Sequence, residues 1–549
     1  MITPTPRTPA TGPGITFGTA GLRAPVGPGA DRMNVSTVTR ATAGVAQWLR
    51  KQGVASPSVA VGFDARYGSN AMARAVAETF AGAGCQVVLL PLPTPTPVIA
   101  WLVRERGLDA GVQITASHNP KQDNGYKLYL AGGSQLVSPA DREIEECIAA
   151  TPAAPEIPRS PDVRLDIHAV DGYLNAVTGL VRSGDSTVLA ARRNLRVLFT
   201  PLHGVGGTVL DEAFRGAGFR SPATVTAQRW PDPEFPTVAF PNPEEPGTCD
   251  LLLETAAASG PADRPDLLIA LDPDADRCML GIPDPDDPRG YRMLRGDETG
   301  PLLARHLVPA VAEGDDAVAA PVVATTVVSS GLLARIAAAS GWDFRETLTG
   351  FKHLARAADD APGDLAFAYE EAIGTCPAPG LVADKDGIAT ALVAAVWAAG
   401  LKAQGRTLRD ELAELDDRFG VVRTAQVSVR SAGQAAAAAL VADWAASPPA
   451  ELSDGAPTEV TPLDPAAGTG AGFRVTWSSA PQGSSRDAGA GVPLDYRVVV
   501  RPSGTEPKAK FYLQVAGPAG DAGPGGADPA VVESVLTELR EIVRRLTDR

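Results

Sequence analysis

The sequence has few cysteines and none in a metal-type or redox-type pair. Its 549 residues include five, with no CxxC spacing: Cys85, Cys147, Cys249, Cys278 and Cys376. This excludes a disulfide framework or a cysteine-held metal and favours a reducing compartment. The N-terminal stretch "MITPTPRTPATGPG" lacks the apolar core of a signal peptide, and no apolar run is long enough to cross a bilayer. We expect a soluble, cytoplasmic protein with no membrane partner.

The chain also lacks an excess of basic residues. Lys and Arg total 49 against 64 Asp and Glu, so the formal net charge is −15 at pH 7. Because such a protein repels polyanions, nucleic acid is not an expected partner, although a local basic pocket can still bind a small phosphate. The sequence contains neither a GxxxxGK[ST] loop nor a GxSxG elbow. A nucleotide-driven kinase and a serine hydrolase therefore both lack their main feature.

Strand-like runs alternate with helical periodicity along much of the chain. "VAVGF", "VVLL" and "GVQIT" enclose segments with apolar residues at helical spacing, such as Met72, Val76 and Phe80, which predicts a βαβαβ unit. The rhythm restarts at "LRVLF" and again at "VVATTVV", whereas the last part holds four strand-like runs and a closing helix. We predict α/β domains over 1–188, 189–298 and 299–418, and a smaller α+β domain over 419–549.

The stretch "ITASHNPKQDNGYKLY" crowds polar residues into one predicted turn-rich loop. Ser117 follows the strand-like "GVQIT" and has small or turn-forming neighbours, so its hydroxyl is expected to project into a cleft. An adjacent Ser and His rarely supply the geometry of a nucleophile and its base. On its own, "SHNP" favours a simple hydrophilic loop with an Asx turn at Asn119-Pro120, and only the motifs elsewhere in the chain change that.

An acidic cluster, "DPDADR", directly follows the apolar run "LLIAL". Its alternate aspartates can turn three hard oxygen ligands toward one cation, which suits Mg²⁺: Asp272, Asp274 and Asp276. A solvated acidic turn is the simpler alternative, but such turns seldom begin straight from a buried strand. A calcium loop does not fit, because Arg277 stands where that loop needs glycine.

Two further clusters point to a phosphate and a sugar. In "RPSGTEPK" the turn amides, two hydroxyls and the charges of Arg501 and Lys508 form a nest for a dianion. In "YEEAIG" Glu370 follows a strand-like run and can bind vicinal hydroxyls, although a helix-capping acid explains it equally well. A serine, a metal loop, a sugar loop and a phosphate nest together describe phosphoryl transfer to and from a sugar.

These four segments, in this order, resemble the signature loops of the α-D-phosphohexomutase superfamily. Further matching segments are "FGTAGLR", "TPLHGVGG", "FPTVAFPNPEE", "TLTGFK" and "DKDG". The closest resemblance is to the branch holding bacterial phosphoglucomutase/phosphomannomutase enzymes and phosphopentomutase-like relatives. It implies three similar α/β domains with mixed sheets and a smaller α+β C-terminal domain, arranged around a central cleft.

The resemblance also implies a role for each matching residue. Ser117 would carry the phosphoryl group and supply one oxygen to Mg²⁺, with the three aspartates as the other protein ligands. Lys127 would be the general acid/base, with its pKa lowered by nearby cations, and His118 would orient the phosphoserine. The expected substrate contacts are Arg23, Arg277, Thr349, Glu370, Lys385, Arg501, Ser503, Gly504, Thr505 and Lys508.

Two departures from the family pattern stand out. Ala372 replaces a serine that many relatives have in the sugar loop, which leaves sugar specificity open. Pro273 and Ala275 stand where glycines are frequent, so the metal loop must reach its geometry with less backbone freedom.

The implied activity is interconversion of hexose 1-phosphate and hexose 6-phosphate, with glucose and mannose as the leading sugars. It would use Mg²⁺ and a glucose 1,6-bisphosphate primer. Phosphopentomutase or glucose 1,6-bisphosphate synthase activity shares every motif. A non-catalytic sugar-phosphate-binding regulator is the alternative from another class, and retention of Ser117, Lys127 and the three aspartates argues against it. The sequence does not fix the oligomeric state.

Overall fold

The structure is a computed structural model. It describes residues 21–311, 319–456, 458–464, 468–479, 492–503, 507–519 and 526–547. Two of the predicted phosphate-binding residues, Gly504 and Thr505, lie outside these ranges.

The helices follow one another along the chain in this order: α1 (Val35–Lys51), α2 (Ser69–Gly82), α3 (Thr96–Glu105), α4 (Ala140–Ala149), α5 (Ala169–Leu180), α6 (Ser186–Asn194), α7 (Gly206–Gly216), α8 (Asp250–Ala258), α9 (Gly296–Leu307), α10 (Leu332–Ser340), α11 (Phe351–Leu354), α12 (Gly387–Ala403), α13 (Leu408–Phe419), α14 (Gln434–Ala446) and α15 (Pro529–Thr547).

The strands are β1 (Leu22–Pro25), β2 (Ser58–Phe63), β3 (Gln86–Leu89), β4 (Ala110–Ile114), β5 (Asp123–Leu130), β6 (Arg164–Leu165), β7 (Val197–Thr200), β8 (Ala223–Thr224), β9 (Leu267–Leu271), β10 (Cys278–Pro283), β11 (Tyr291–Met293), β12 (Val322–Thr326), β13 (Asp343–Thr347), β14 (Leu365–Glu370), β15 (Gly374–Cys376), β16 (Val422–Arg430), β17 (Glu459–Asp464), β18 (Gly468–Ser478), β19 (Asp495–Pro502) and β20 (Lys508–Ala516).

Backbone contacts divide the chain into two compact units. Unit 1 comprises Met1–Met293 and Gly374–Gly400, and unit 2 comprises Leu294–Ile373 and Leu401–Arg549. Both units are therefore discontinuous in sequence.

Unit 1 contains two mixed sheets with helices packed against them. In the first, the strand order is β1-β5-β4-β2-β3-β6, with β2 parallel to β3 and β4, and β5 antiparallel to β4. In the second, the order is β11-β10-β9-β7-β8, with β7 parallel to β9 and β10 antiparallel to β9. The buried faces follow the sequence pattern, because Met72, Val76 and Phe80 of α2 all lie in the core of the first sheet.

Unit 2 contains parallel strands followed by an antiparallel sheet. Strand β12 pairs in parallel with β13 and with β14. The later sheet has the order β16-β20-β19-β18-β17 and is antiparallel at each pairing that the structure describes. Helices α14 and α15 contribute Trp444 and Leu536 to its apolar core. This β-rich C-terminal part and the α/β modules before it confirm the predicted fold class.

One pair of helices has the length and apolar composition that a membrane span needs. Within the described ranges, no helix alone is long and apolar enough to cross a bilayer, but α12 and α13, which meet at a 91° bend, pass as a pair.

Candidate active site

The predicted serine and the three predicted carboxylates of unit 1 lie in the connecting loops of two β-hairpins. Strand β4 ends with Ile114 opposite Tyr126 of β5, so residues 115–122 form the connecting loop. Strand β9 ends with Leu271 opposite Cys278 of β10, and residues 272–277 connect them. Because β4 and β9 are buried and apolar through most of their length, polar side chains emerge where the strands end.

Ser117 is buried in the first loop and points at the second. Its Oγ donates a hydrogen bond to Oδ2 of Asp272 at 2.8 Å and lies 3.2 Å from Nδ1 of His118. The backbone of Ser117 is left-handed, with φ 53°, and its amide donates to Oγ1 of Thr115 at 2.9 Å. A non-glycine residue in this region costs on the order of 1–3 kcal/mol, so the surrounding structure must hold it there.

The second loop gathers the three predicted carboxylates. Ligand oxygens of Asp272, Asp274 and Asp276 all lie within 4.8 Å of one another, and the three side chains are buried. One oxygen each of Asp274 and Asp276, Oδ1 in both, is buried without a hydrogen-bond partner. Ala275, which stands where glycine is frequent in the family, has a left-handed backbone with φ 55°. Buried hard oxygens that lack a donor fit Mg²⁺.

The carboxylates differ in their ionisation. Burial and the charges of Asp274 and Asp276 raise the pKa of Asp272 well above its ordinary value. Burial opposes ionisation of Asp274 as well, but Lys127 outweighs it and lowers the pKa of that carboxyl. For Asp276, burial and Asp274 act upward, while Lys127, Lys385 and Arg277 bring the pKa below its usual value. Such a site stabilises added positive charge.

Lys127 lies on strand β5 and not in the turn-rich loop that the sequence suggested. Strand β5 begins at Asp123, directly after the loop, and Lys127 pairs across the sheet with Gln113. Its buried Nζ donates to Oδ2 of Asp274 at 2.8 Å and to Oδ2 of Asp276 at 2.6 Å. Burial lowers the pKa of Lys127, but the two carboxylates outweigh burial and raise it. Without a cation on the carboxylates, the amine is therefore protonated.

Cationic side chains flank the serine loop. Arg23, on edge strand β1, donates from Nη1 to Oδ1 of Asn119 at 2.9 Å. Arg277 lies 3.8 Å from Asp276 and 3.9 Å from Glu244, measured between nitrogen and oxygen. Burial, together with Arg277 and Arg23, holds the pKa of His118 well below its ordinary value, so its imidazole is neutral. The guanidinium groups of Arg23 and Arg277 therefore place positive charge near the serine loop, which would favour a negatively charged phosphoryl group.

Lys385 reaches the same cluster from a distant part of the sequence. Its Nζ lies 3.4 Å from Oδ2 of Asp276. The residues on either side are held by unit 1: Gln135 donates to Asp384 at 2.6 Å, and the hydroxyl of Tyr173 donates to Asp386 at 2.7 Å. Sequence reasoning missed Gln135 and Tyr173, since neither lies in a recognisable pattern.

The other predicted substrate contacts lie in unit 2. Thr349 is in the bend after β13, and Glu370 is buried at the end of β14. Arg501 lies on β19, where its Cζ is 5.8 Å from the ring of Tyr512. The amide of Ser503 donates to the carbonyl of Lys508 at 2.8 Å and closes the β19–β20 hairpin. The roles of these residues stay predictions.

Thr96 is a further site residue that the sequence reasoning missed. At the start of α3, its Oγ1 donates to Oδ2 of Asp274 at 2.6 Å, and its amide donates to the carbonyl of Asp274 at 2.9 Å. The signal that could have found it is its place just beyond a strand, in "PTPTP", where functional loops are common.

Comparison with family models matches most of the chain. Three models described as "Phosphoglucomutase/phosphomannomutase, alpha/beta/alpha domain" I, II and III match residues 14–154, 171–284 and 295–419.

The chain also resembles curated proteins over nearly its whole length. A "Probable phosphomannomutase" of Haemophilus influenzae is 35% identical over 94% of this chain and 97% of its own length. A human phosphopentomutase is 33% identical over 96% of this chain and 88% of its own length.

Solved structures share the fold. Parafusin, a phosphoglucomutase from Paramecium, superposes with a TM-score of 0.69 at 18% identity, covering 98% of this chain and 96% of its own. A Phosphoglucomutase/phosphomannomutase family protein from Burkholderia thailandensis gives 0.66 at 17% identity, covering 96% and 97%. The chain belongs to the phosphoglucomutase/phosphomannomutase family.

Proposed function

We propose that this member of the phosphoglucomutase/phosphomannomutase family interconverts hexose 1-phosphate and hexose 6-phosphate, with glucose and mannose phosphates as substrates. The observation that carries the proposal is the position of Ser117. Its Oγ lies 2.8 Å from a carboxylate cluster that has buried oxygens free for a cation. A hydroxyl in that position suits phosphoryl transfer.

In the proposed cycle, Ser117 carries a phosphoryl group between turnovers. The free hydroxyl of the sugar phosphate attacks that phosphorus, the bond to Oγ breaks, and a hexose 1,6-bisphosphate forms. Oγ then attacks the other phosphate of the bisphosphate, which restores the phosphoserine and releases the isomeric monophosphate. Bound Mg²⁺ would neutralise charge on the transferring group and on the carboxylates that hold Lys127 protonated.

The chain's own residues divide the remaining work. Lys127, whose buried amine donates to Asp274 and Asp276, would take the proton of the attacking hydroxyl. Neutral His118, 3.2 Å from Oγ, would orient the serine. Arg23 and Arg277 would contact substrate and add positive field, and Lys385 would also contact substrate. The sugar and the phosphate that does not react would be bound by Thr349, Glu370, Arg501, Ser503, Gly504, Thr505 and Lys508.

The test is a substrate panel with and without primer. Purified protein with Mg²⁺ is given glucose, mannose or ribose 1-phosphate, and intact mass reports phosphate on the protein. We expect conversion of the hexose phosphates, and a trace of glucose 1,6-bisphosphate should restart protein that has lost its phosphate. Ribose 1-phosphate is included because relatives named phosphopentomutase align over nearly the whole chain.

Two serine variants complete the test. Ser117→Ala should lose both turnover and the mass adduct. Ser138→Ala should keep both, because the Oγ of Ser138 donates only to nearby Asp141 among the described contacts. Full activity of unphosphorylated protein without primer contradicts the cycle. Release of inorganic phosphate at the turnover rate indicates a phosphatase.

A further inference from the structure

The side chain of Arg66 donates hydrogen bonds to the backbone of the serine loop, residues 115–122, and to Asp123 beside it. Arg66 lies just after β2, and its side chain is 1% exposed. Its guanidinium donates to four main-chain carbonyls: Nη2 to Ser117 at 2.7 Å and Asn119 at 2.6 Å, and Nη1 to Pro120 at 2.8 Å and Asp123 at 3.2 Å. One buried side chain therefore satisfies acceptors along the whole loop.

The guanidinium is itself fixed on two sides. Oδ2 of Asp64 lies 3.4 Å from Nε, and the ring of Phe235 lies 5.0 Å from Cζ. Asp64 is held in turn, since its Oδ1 accepts from Oγ of Ser69 at 2.6 Å. A buried cation is retained only when it is paired and hydrogen-bonded, and Arg66 meets both conditions.

The loop needs such a support because few bonds join its own main-chain groups. Within 115–123, the described main-chain bonds run from the amide of Asn119 to Ala116 at 3.1 Å and from the amide of Asp123 to Pro120 at 3.0 Å. Two side-chain bonds add to them, from the amide of Ser117 to Oγ1 of Thr115 and from Nδ2 of Asn119 to Oδ2 of Asp123. Ser117 has a positive φ, which persists only where surrounding contacts determine it.

We propose that Arg66 is a positioning residue for phosphoryl transfer: it holds the loop so that Oγ of Ser117 stays between Asp272 and His118. The inference rests on the proposed function, in which Ser117 is the phosphoryl carrier. In the described contacts Arg66 touches neither Oγ of Ser117 nor a carboxylate of the cluster, so its contact with the site is through the loop backbone. Its charge also acts on Asp272 and Asp274 from a distance, and Arg66→Lys keeps that charge.

Arginine is required at this position by geometry. Its planar fork presents five donors in fixed directions, enough for four carbonyls and the side facing Asp64. The ammonium of lysine has three donors on one nitrogen and cannot span the loop. Arg66→Lys therefore keeps the charge but loses part of the support.

Arg192 offers a matched control. It is also buried, donates to the carbonyls of Ala217 at 2.7 Å and Val181 at 2.5 Å, and its Cζ lies 5.8 Å from the ring of Phe219. None of these contacts belongs to the site. Arg192→Lys thus makes the same chemical change in the same kind of environment, away from the serine loop.

The experiment compares full-length Arg66→Lys, Arg192→Lys and parent protein. Readouts are kcat and KM for glucose 1-phosphate with Mg²⁺ and primer, and deuterium uptake of peptides spanning 115–125. For Arg66→Lys we expect kcat to fall about 100-fold, a loss that misplacing the reacting groups by about 1 Å can cause, with little change in KM. Uptake across 115–125 should rise. Arg192→Lys should match the parent in both readouts.

The outcomes separate the possible failures. Folded Arg66→Lys with parental kcat, or with no more uptake at 115–125 than Arg192→Lys, overturns the proposal. If Arg66→Lys does not fold, Arg66→Gln, which buries no charge, takes its place under the same criteria. If parent protein has no mutase activity on any sugar phosphate, the proposed function fails, and deuterium uptake alone decides whether Arg66 holds the loop.

Discussion

At the scale of single residues, we expect Thr96 to orient Asp274 in the predicted metal loop, residues 272–277, although Thr96 lies outside that loop. Thr96 holds Asp274 through both its hydroxyl and its amide. Thr96→Val keeps the shape and the amide bond but removes the hydroxyl bond to a buried carboxylate, which should cost about 1.5–3 kcal/mol. We expect weaker Mg²⁺ binding, measured as a shift of the Mg²⁺ titration of thermal stability to higher concentration.

Thr94→Val is the control for that substitution. The hydroxyl of Thr94 is also in a short bond, to the carbonyl of Leu92 at 2.7 Å, but neither residue contacts a carboxylate of the cluster in the described contacts. The Thr94→Val variant should be less stable than the parent, while its Mg²⁺ titration should match that of the parent. Equal titrations for both variants and the parent would show that Thr96 does not orient the ligand.

We expect Asp386 to make the folding stability of the protein depend on pH. Burial raises its pKa to about 6, above an unfolded value of about 3.9. Between these values the folded protein holds more protons than the unfolded chain, so stability falls as pH rises through this window. Two pKa units correspond to a loss of about 3 kcal/mol by neutral pH.

Asp386→Asn should remove this loss. Oδ1 of Asp386 accepts from Tyr173 and from the amide of Ala389, and Oδ2 is buried without a partner, so an amide preserves the accepted bonds. We expect the variant to exceed the parent in urea midpoint at about pH 7.5 and to match it at about pH 4, below most of the transition. A difference that does not change with pH would contradict the assignment.

At the scale of elements, local pattern predicted most of the secondary structure. The run "VAVGF", the helical spacing from Met72 to Phe80 and the apolar "LLIAL" became β2, α2 and β9. Each has a buried face that its own sequence specifies, so periodicity is sufficient. The position of Lys127 on a strand was not predicted, because Gly125 and Asn124 favour a turn and only pairing with β4 and β1 decides the outcome.

Helix α12 supports the metal loop through its first residue. A Cβ added at Gly387 would lie 2.6 Å from the carbonyl oxygen of Arg277 and 2.8 Å from that of Ala275. Because both atoms are backbone, they cannot move aside without shifting the loop. Gly387→Ala should therefore lower the melting temperature and raise the Mg²⁺ requirement together.

Gly400, near the other end of the same helix, is the matched control. A Cβ there meets nothing within 4 Å. Gly400→Ala should be neutral or stabilising by up to about 1 kcal/mol, since alanine favours helix. Calorimetry and a Mg²⁺ titration of both variants make the comparison. A Gly387→Ala variant with the melting temperature and Mg²⁺ requirement of the parent would show that the loop tolerates displacement.

At the scale of the whole molecule, the residues that the sequence predicted as site residues belong to two different units. The serine loop, the carboxylates, Lys127 and Lys385 are all in unit 1, whereas Thr349, Glu370, Arg501, Ser503 and Lys508 are in unit 2. The order of motifs predicted the family but not the return of 374–400 to unit 1, because that depends on contacts such as Gln135 with Asp384, far apart in sequence. The predicted domain bounds stay a prediction.

This division predicts separate effects of metal and substrate. Since the predicted metal ligands all belong to unit 1, Mg²⁺ at about 100 times its dissociation constant should stabilise that unit by about 2.7 kcal/mol. This corresponds to about 100-fold slower exchange where opening releases the metal. Deuterium uptake should fall in peptides covering 115–123 and 272–277 and stay unchanged in 422–430 and 508–516.

Glucose 1-phosphate should extend protection to unit 2. With Ser117→Ala, which cannot turn over, addition of the sugar phosphate to Mg²⁺-loaded protein should slow uptake in peptides covering 495–516, because Arg501 and Lys508 would bind its phosphate. Asp274→Asn should lose the response to Mg²⁺ while Arg501→Ala keeps it and loses the response to sugar phosphate. If Mg²⁺ alone protects 495–516, or if Arg501→Ala responds to sugar phosphate like the parent, the assignment of metal to one unit and phosphate to the other is wrong.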